Sequence, residues 1–342
     1  MIPAIFGMQG HQLSQQEQGF FKEVDPLGYI LFARNINNRQ QLSALTDTLR
    51  DISGRDDVPI LIDQEGGRVA RLSAPQWWSY PTAAALSAAF TAQPELTEAA
   101  VRLNYSALGL DLAEVGISVD CAPVLDVPQA GAHDVIGDRA FGDTADQVAR
   151  LGQAALDGLT DAGIVGVIKH IPGHGRAGAD SHHHLPTVDA DDAALATDIA
   201  PFKALAQAPM AMTAHVLYSA WDTTQCATLS ASIIERVIRQ RIGFDGLLMS
   251  DDLDMKALVG SVPELAVQSL AAGCDVALNC WGDMAVMVEI AARLGEASTD
   301  CRRRLRSAMA HWQPQQIDGI VARQSDYLAR RDSVLRQLAA FV

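Results

Sequence analysis

The stretch DTADQVARLGQAALDGLTDAGIVGVIKH, residues 143–170, sets the fold. Asp143–Ala162 carries its apolar residues at helical spacing, and Gly163 then breaks the pattern. Ile164–Ile168 follows as a short apolar run without period-two polarity, as expected of a parallel strand covered on both faces. The run stops at Lys169-His170. The same helix–strand unit repeats outward in both directions. Further apolar runs lie at Pro3–Met8, Gly28–Phe32, Val58–Ile62, Val119–Leu125, Pro209–Thr213, Gly246–Met249 and Cys274–Leu278. Between them, Gln40–Ile52, Glu95–Val115, Asp191–Ala206, Ser230–Ile242 and Val262–Ala272 have helical spacing.

Eight strands alternating with helices predict an α/β fold, specifically a single (β/α)8 TIM-type barrel with an extra C-terminal helix. A doubly wound open sheet is the alternative. One catalytic domain over 1–342 is expected, with a barrel core over about 3–300 and a helical extension over 301–342 lying outside the barrel. The runs end in polar groups: Ala33-Arg34-Asn35, Asp63-Gln64-Glu65, Asp126, Lys169-His170, His215, Ser250-Asp251-Asp252 and Asn279. In a parallel barrel these ends share one face, where barrel active sites form. Polar residues also mark the end of any strand, so one such residue alone would signify little.

Hydrophobic residues make up 49% of the 342 and charged residues 20%, enough apolar material for a full core. The net charge of -15 argues against nucleic acid as a partner, since binding phosphates needs clustered Lys and Arg. It argues more weakly against an anionic membrane. The first residues, MIPAIFGMQGHQ, lack the pattern of a signal peptide, and no apolar run approaches membrane-span length. Five scattered cysteines without CxxC spacing fit thiols in a reducing compartment. A cytoplasmic monomer is expected.

Three segments have chemical potential. The first, Lys169-His170-Ile171-Pro172-Gly173-His174-Gly175 through Asp180-Ser181-His182-His183-His184, leaves a strand into glycines and a proline, so a mobile loop over the mouth is expected across 171–184. Asp180 sits close enough in sequence to orient the His182 imidazole, which can give and take a proton near neutral pH. A solvated histidine-rich loop is the plainer reading. The second, Ser250-Asp251-Asp252-Leu253-Asp254, places Asp251 two residues past an apolar run, pointing into the mouth as a nucleophile, metal ligand or ion-pair partner. Asp252 and Asp254 suit the start of the next helix. The third, Asp63-Gln64-Glu65-Gly66-Gly67-Arg68-Val69-Ala70-Arg71, combines carboxylates for vicinal hydroxyls with guanidinium donors. It reads equally as an ion-paired strand end with a glycine turn, and it lacks the spacing of a nucleotide-binding loop.

Together these motifs resemble glycoside hydrolase family 3, and within it the cytoplasmic β-N-acetylhexosaminidases of peptidoglycan recycling. Ala122-Pro123-Val124-Leu125-Asp126-Val127, Ile136-Gly137-Asp138-Arg139-Ala140-Phe141-Gly142, Ala214-His215-Val216-Leu217-Tyr218 and Ala227-Thr228-Leu229-Ser230 add to the likeness, which runs from about Pro3 to Cys280. The resemblance implies a (β/α)8 barrel and a retaining exo-glycosidase without metal or other cofactor. It would release terminal β-linked N-acetylglucosamine from GlcNAc-1,6-anhydroMurNAc muropeptides. It also implies Asp251 as nucleophile, His182 with Asp180 as acid/base, and Asp63, Arg71, Arg139, Lys169 and His170 as sugar ligands. Ile171 and Cys226 are minor departures from the family pattern. A metal-dependent hydrolase using His170, His174, His215 and Asp251 is one rival, because imidazole with carboxylate suits zinc. Others are an inactive sugar-binding barrel and a phosphorolytic form of the same glycosidase.

Overall fold

The structure is a computed structural model, and it describes residues 1–181, 184–314 and 318–341. Eight strands form one sheet: β1 (Ile2–Phe6), β2 (Pro26–Leu31), β3 (Ile60–Ile62), β4 (Val119–Asp120), β5 (Val165–Ile171), β6 (Met210–Thr213), β7 (Leu247–Met249) and β8 (Ala277–Asn279). Their spatial order is β7-β6-β5-β4-β3-β2-β1-β8, and every pairing is parallel. A further parallel bridge, Met249 to Val276, joins β7 to the lead-in of β8 and brings the two ends of the sheet together. The sheet is therefore a barrel rather than the open alternative.

Helices alternate with the strands: α1 (Gln15–Val24), α2 (Arg39–Ser53), α3 (Pro94–Glu114), α4 (Ala145–Asp161), α5 (Asp192–Ala204), α6 (Ile233–Ile242), α7 (Val262–Ala272) and α8 (Met284–Arg293). Helix α4 shows the local logic. Thr144 caps its first turn by accepting from the Gln147 N–H, and Val148, Leu151, Ala155 and Leu159 bury one face. The chain then turns at Gly163, in the left-handed region at φ 75°, and enters β5.

Side chains alternate along the strands. Ile5, Ile30, Leu61, Val167, Met210, Met212, Leu247, Met249 and Leu278 fill the barrel interior. Their neighbours Phe6, Leu31, Ile62, Ile168, Ala211, Leu248 and Ala277 belong to the larger core beneath the helices. Both sides are apolar, which is why the sequence shows continuous runs instead of alternation.

The expected C-terminal extension is two helices, α9 (Thr299–Met309) and α10 (Ile320–Leu338), with different roles. Helix α10 packs against α3. Helix α9 is not merely external, contrary to the sequence-based expectation. Cys301, Leu305, Ala308 and Met309 join the interior cluster, so this helix plugs the end of the barrel opposite the strand C-termini. Its arginines, Arg302-Arg303-Arg304 and Arg306, conceal that apolar face in the sequence. No described helix is long and apolar enough to cross a membrane. The five cysteines are buried free thiols.

Candidate active site

Strand periodicity assembles the site. Asp63 lies two residues beyond inward-facing Leu61, Lys169 two beyond Val167, Asp251 two beyond Met249, Phe32 two beyond Ile30, and Cys280 two beyond Leu278. A period of two therefore carries all five inward at the strand ends. They line one cavity of about 500 Å³, a size suited to a small ligand. His170 breaks this parity yet also lines the cavity, because β5 shifts register against β6 between Lys169 and Ile171. Lys169 and His170 therefore lie inside the strand rather than just after it.

An ion network organises one wall. Lys169, 2% exposed, places Nζ 2.9 Å from Asp63 Oδ1 and 2.7 Å from Glu65 Oε1. Arg139 grips Glu65 with a fork, Nη2 to Oε1 and Nε to Oε2, both at 2.8 Å. Arg71 reaches Asp63 Oδ2 at 3.2 Å. A tight hairpin brings Arg71 back to that point. Gly66 and Gly67 have φ of 98° and 57°, and the Gln64 amide oxygen accepts the N–H groups of Arg71 and Leu72. Burial alone would raise the pKa of both acids, but Lys169 with Arg71 holds Asp63 well below the carboxylate range. Lys169 with Arg139 likewise brings Glu65 down to about 2.

Asp126, at the end of the β4 run, holds the other wall. Its Oδ2 lies 2.7 Å from His170 Nδ1, while Oδ1 accepts the backbone N–H groups of His170 at 3.2 Å and His174 at 2.6 Å. The carboxylate thus fixes the His170 ring and leaves Nε2 for the cavity. Burial works against ionisation of Asp126, but His170 and then His174 outweigh it and keep the pKa low.

Asp251 rises from the apolar floor and accepts the Asp252 N–H at 2.8 Å. Burial works against its charge too, but the imidazoles of His215 and His170, that N–H and Lys169 outweigh it and keep the pKa low. The adjacent Asp252 behaves oppositely. Burial, then Asp254, pushes its pKa up to about 7. Its role is not helix initiation, as its sequence position suggests, since Oδ1 accepts the Cys280 and Asp254 N–H groups. Helix α7 begins only at Val262.

Asp180 lines the same cavity. His182, the expected acid/base, and His183 lie outside the described residues. The expectation of a mobile loop over 171–184 needs dividing. Its first half is packed down: Tyr218 donates to the Gly173 carbonyl at 2.6 Å, Gln129 N–H to Gly175 and His133 N–H to Ala177. Gly175 admits no side chain, because a Cβ there would fall 2.0 Å from the Val127 carbonyl oxygen. Arg176 also pairs with Asp198 at 2.6 Å.

Among the described residues, His170, His174, His215 and Asp251 do not form a group that could hold a metal ion. His215 is engaged at both nitrogens, by Thr228 Oγ1 at 2.7 Å and the Asp252 carbonyl at 3.0 Å. His170 Nδ1 belongs to Asp126, and His174 Nε2 faces Ser181 Oγ at 3.2 Å. Sequence reasoning misses Glu65, Asp126, His174 and Ser181 as residues that build this cavity and its walls. Asp126 and Glu65 stand at strand ends and are legible there as polar positions. Which cation or imidazole each carboxylate meets depends on pairing across the barrel.

The chain is similar to known proteins in sequence and in fold. The chain matches the glycosyl hydrolase family 3 N-terminal domain over residues 7–307. It is 37% identical over 283 residues to a beta-hexosaminidase of Alkalilimnicola ehrlichii, covering 81% of this chain and 80% of that protein. It is 36% identical over 329 residues to a beta-hexosaminidase of Bordetella pertussis, covering 92% of each. Among solved structures it resembles native NagZ from Neisseria gonorrhoeae, with a TM-score of 0.86, 30% identity, and coverage of 98% of this chain and 97% of that one. The family match spans every barrel strand after β1 and all the cavity residues described above, so the chain belongs to glycosyl hydrolase family 3.

Proposed function

We propose that the chain is a retaining β-N-acetylhexosaminidase that releases terminal β-linked N-acetylglucosamine from GlcNAc-1,6-anhydroMurNAc peptidoglycan fragments. The observation that carries this reading is the placement of Asp251 in one cavity with Asp63, Arg71, Arg139, Lys169 and His170. Its named relatives support the activity, and the Neisseria gonorrhoeae NagZ has been crystallised with N-trifluoroacetyl-D-glucosamine. We read residues 1–342 as one catalytic domain, acting as a cytoplasmic monomer without metal or cofactor.

In this mechanism Asp63 accepts from sugar hydroxyls while Arg71, Arg139, Lys169 and His170 donate to them. Asp63 and Glu65 keep Arg71, Arg139 and Lys169 in register, and Asp126 holds the His170 ring, so the site is organised before substrate arrives. An Asp251 oxygen attacks the anomeric carbon as the glycosidic C–O bond breaks, and His182, oriented by Asp180, protonates the departing oxygen. Neutral His182 then takes a proton from water, which displaces Asp251 and returns the sugar with its original configuration. Imidazole suits this role because neither of its protonation states is repelled by the Asp251 carboxylate.

The test is turnover of 4-nitrophenyl β-N-acetylglucosaminide with and without a chelator, in phosphate buffer. The expected products are free N-acetylglucosamine and nitrophenol at a rate indifferent to the chelator. Sugar 1-phosphate would instead identify the phosphorolytic form, chelator-abolished turnover the metal hydrolase, and no turnover an inactive binding barrel.

A further inference from the structure

The cavity is closed on most sides and open on one. Glu65, Lys169, His170, Met255 and Cys280 line it and are buried. Among its described lining residues only Arg68, His133 and Asp134 are exposed. Arg68 follows the glycine turn of the hairpin after β3, and His133-Asp134 stand in the loop between β4 and α4. These two segments form the open edge.

The edge is braced from below. Arg68 places Nε 2.8 Å from Asp138 Oδ1, and its Nη2 donates to the carbonyls of Asp134, Val135 and Ile136 at 3.1, 2.8 and 3.2 Å. Arg139 Nη1 adds a bond to the Val135 carbonyl at 3.3 Å, and Val135 and Ile136 pack with Val124 and Ala140. His133 is fixed twice. Its N–H donates to the Ala177 carbonyl at 2.8 Å, and its Nδ1 accepts the Val135 N–H at 3.0 Å. A backbone N–H can only donate, so Nδ1 is the bare nitrogen and the ring proton sits on Nε2. That Nε2–H meets no acceptor among the described residues, and the Asp134 carboxylate meets no donor there.

We infer that this edge is the subsite for the leaving group, and that it takes a second sugar. His133 Nε2–H donates to a hydroxyl or amide oxygen of that sugar, and the Asp134 carboxylate accepts from one of its hydroxyl or amide N–H groups. The inference rests on the glycosidase reading above. There the terminal sugar is held at the closed end by Asp63, Arg139 and Lys169, so the rest of the substrate extends past the exposed side. One donor and one acceptor on adjacent residues match the mixed hydroxyl and amide groups of a sugar. The ring is already held in one tautomer and the loop is already braced, so little conformational freedom is lost on binding.

The experiment compares wild type, His133→Ala and Asp134→Ala on two substrates, N,N′-diacetylchitobiose and methyl β-N-acetylglucosaminide. Both release an alcohol, so both need proton assistance. They differ in what reaches the edge, since the methyl group offers no hydrogen-bonding atom beyond the glycosidic oxygen. Each variant is expected to lower kcat/KM for the disaccharide about 10-fold, the effect of one hydrogen bond made in the transition state. For the methyl glycoside kcat/KM should fall less than about twofold. Circular dichroism and thermal unfolding show that each variant folds. Equal losses on both substrates, or an unchanged disaccharide rate in both variants, would overturn the subsite while the glycosidase reading stands. Wild type that cleaves neither substrate would overturn that reading, and the subsite with it.

Discussion

Asp251→Ala lowers kcat for 4-nitrophenyl β-N-acetylglucosaminide by about 10⁴-fold or more, while the protein keeps its fold and still binds N-acetylglucosamine. Nucleophile removal has losses of this order because no other group can take over bond formation at the anomeric carbon. The neighbouring carboxyl does not replace it. Asp252 is raised to about 7 by burial and turns its Oδ1 toward the Cys280 and Asp254 N–H groups. Stability should change little, since among the described residues the Asp251 side chain bonds to the adjoining Asp252 N–H and supports no ion pair. The measurement is steady-state kinetics with sugar binding by calorimetry. Retention of more than about a hundredth of wild-type kcat would mean that another group forms the bond.

Glu65→Gln gives the second large effect, this time on stability. Glu65 is 5% exposed and spends both oxygens on Arg139 and Lys169. A neutral amide would leave two buried cations sharing an uncharged partner, at a cost of about 3 kcal/mol at neutral pH. For a chain of this length that corresponds to a fall in Tm of about 4 °C. The pH dependence identifies the cause. The folded pKa of Glu65, about 2, lies below its ordinary value of 4.5. Its contribution is therefore complete above pH 4.5 and is lost as the pH falls through about 2. The gap in Tm between wild type and Glu65→Gln should be widest near neutrality and close as pH falls from 4.5 toward 2, because protonated Glu65 resembles the amide. Thermal unfolding across that range checks it. A gap independent of pH would mean that the variant acts through packing.

Much of this architecture is legible in the order of residues alone. Helix α4 and strand β5 can be read from residues 143–170 because a face of small and branched apolar residues and an all-apolar run are local signals. Asp63, Lys169 and Asp251 can be placed in the mouth for the same reason, being polar groups at the ends of buried strands. Strand limits are less accurate. Val119–Leu125 reads as one run, but regular pairing covers only Val119–Asp120, with an isolated bridge at Val124. What a linear reading cannot show is which groups satisfy one another. Glu65 and Asp63 look alike in Asp63-Gln64-Glu65, yet Lys169 is shared between them while Glu65 takes Arg139 as its second partner and Asp63 takes Arg71. That difference is set by a residue 74 positions away. His174 looks like a metal ligand in a histidine-rich loop, yet Ser181 and Asp126 account for its place. Helix α9 looks external because its arginines dominate the sequence. Arg304 meets Asp245 and Asp275 at the base of the barrel, so a charged segment covers a buried face.

The central claim is that Asp251 forms a bond to sugar during turnover. The direct measurement uses a slowly released 5-fluoro-N-acetylglucosaminyl donor, followed by rapid acid quench, proteolysis and peptide mass spectrometry. A peptide carrying the sugar mass at Asp251, absent from Asp251→Ala and lost on incubation with an acceptor, is the predicted result. Inactivation with the sugar on a different residue, or turnover with inverted product and no adduct, would contradict it.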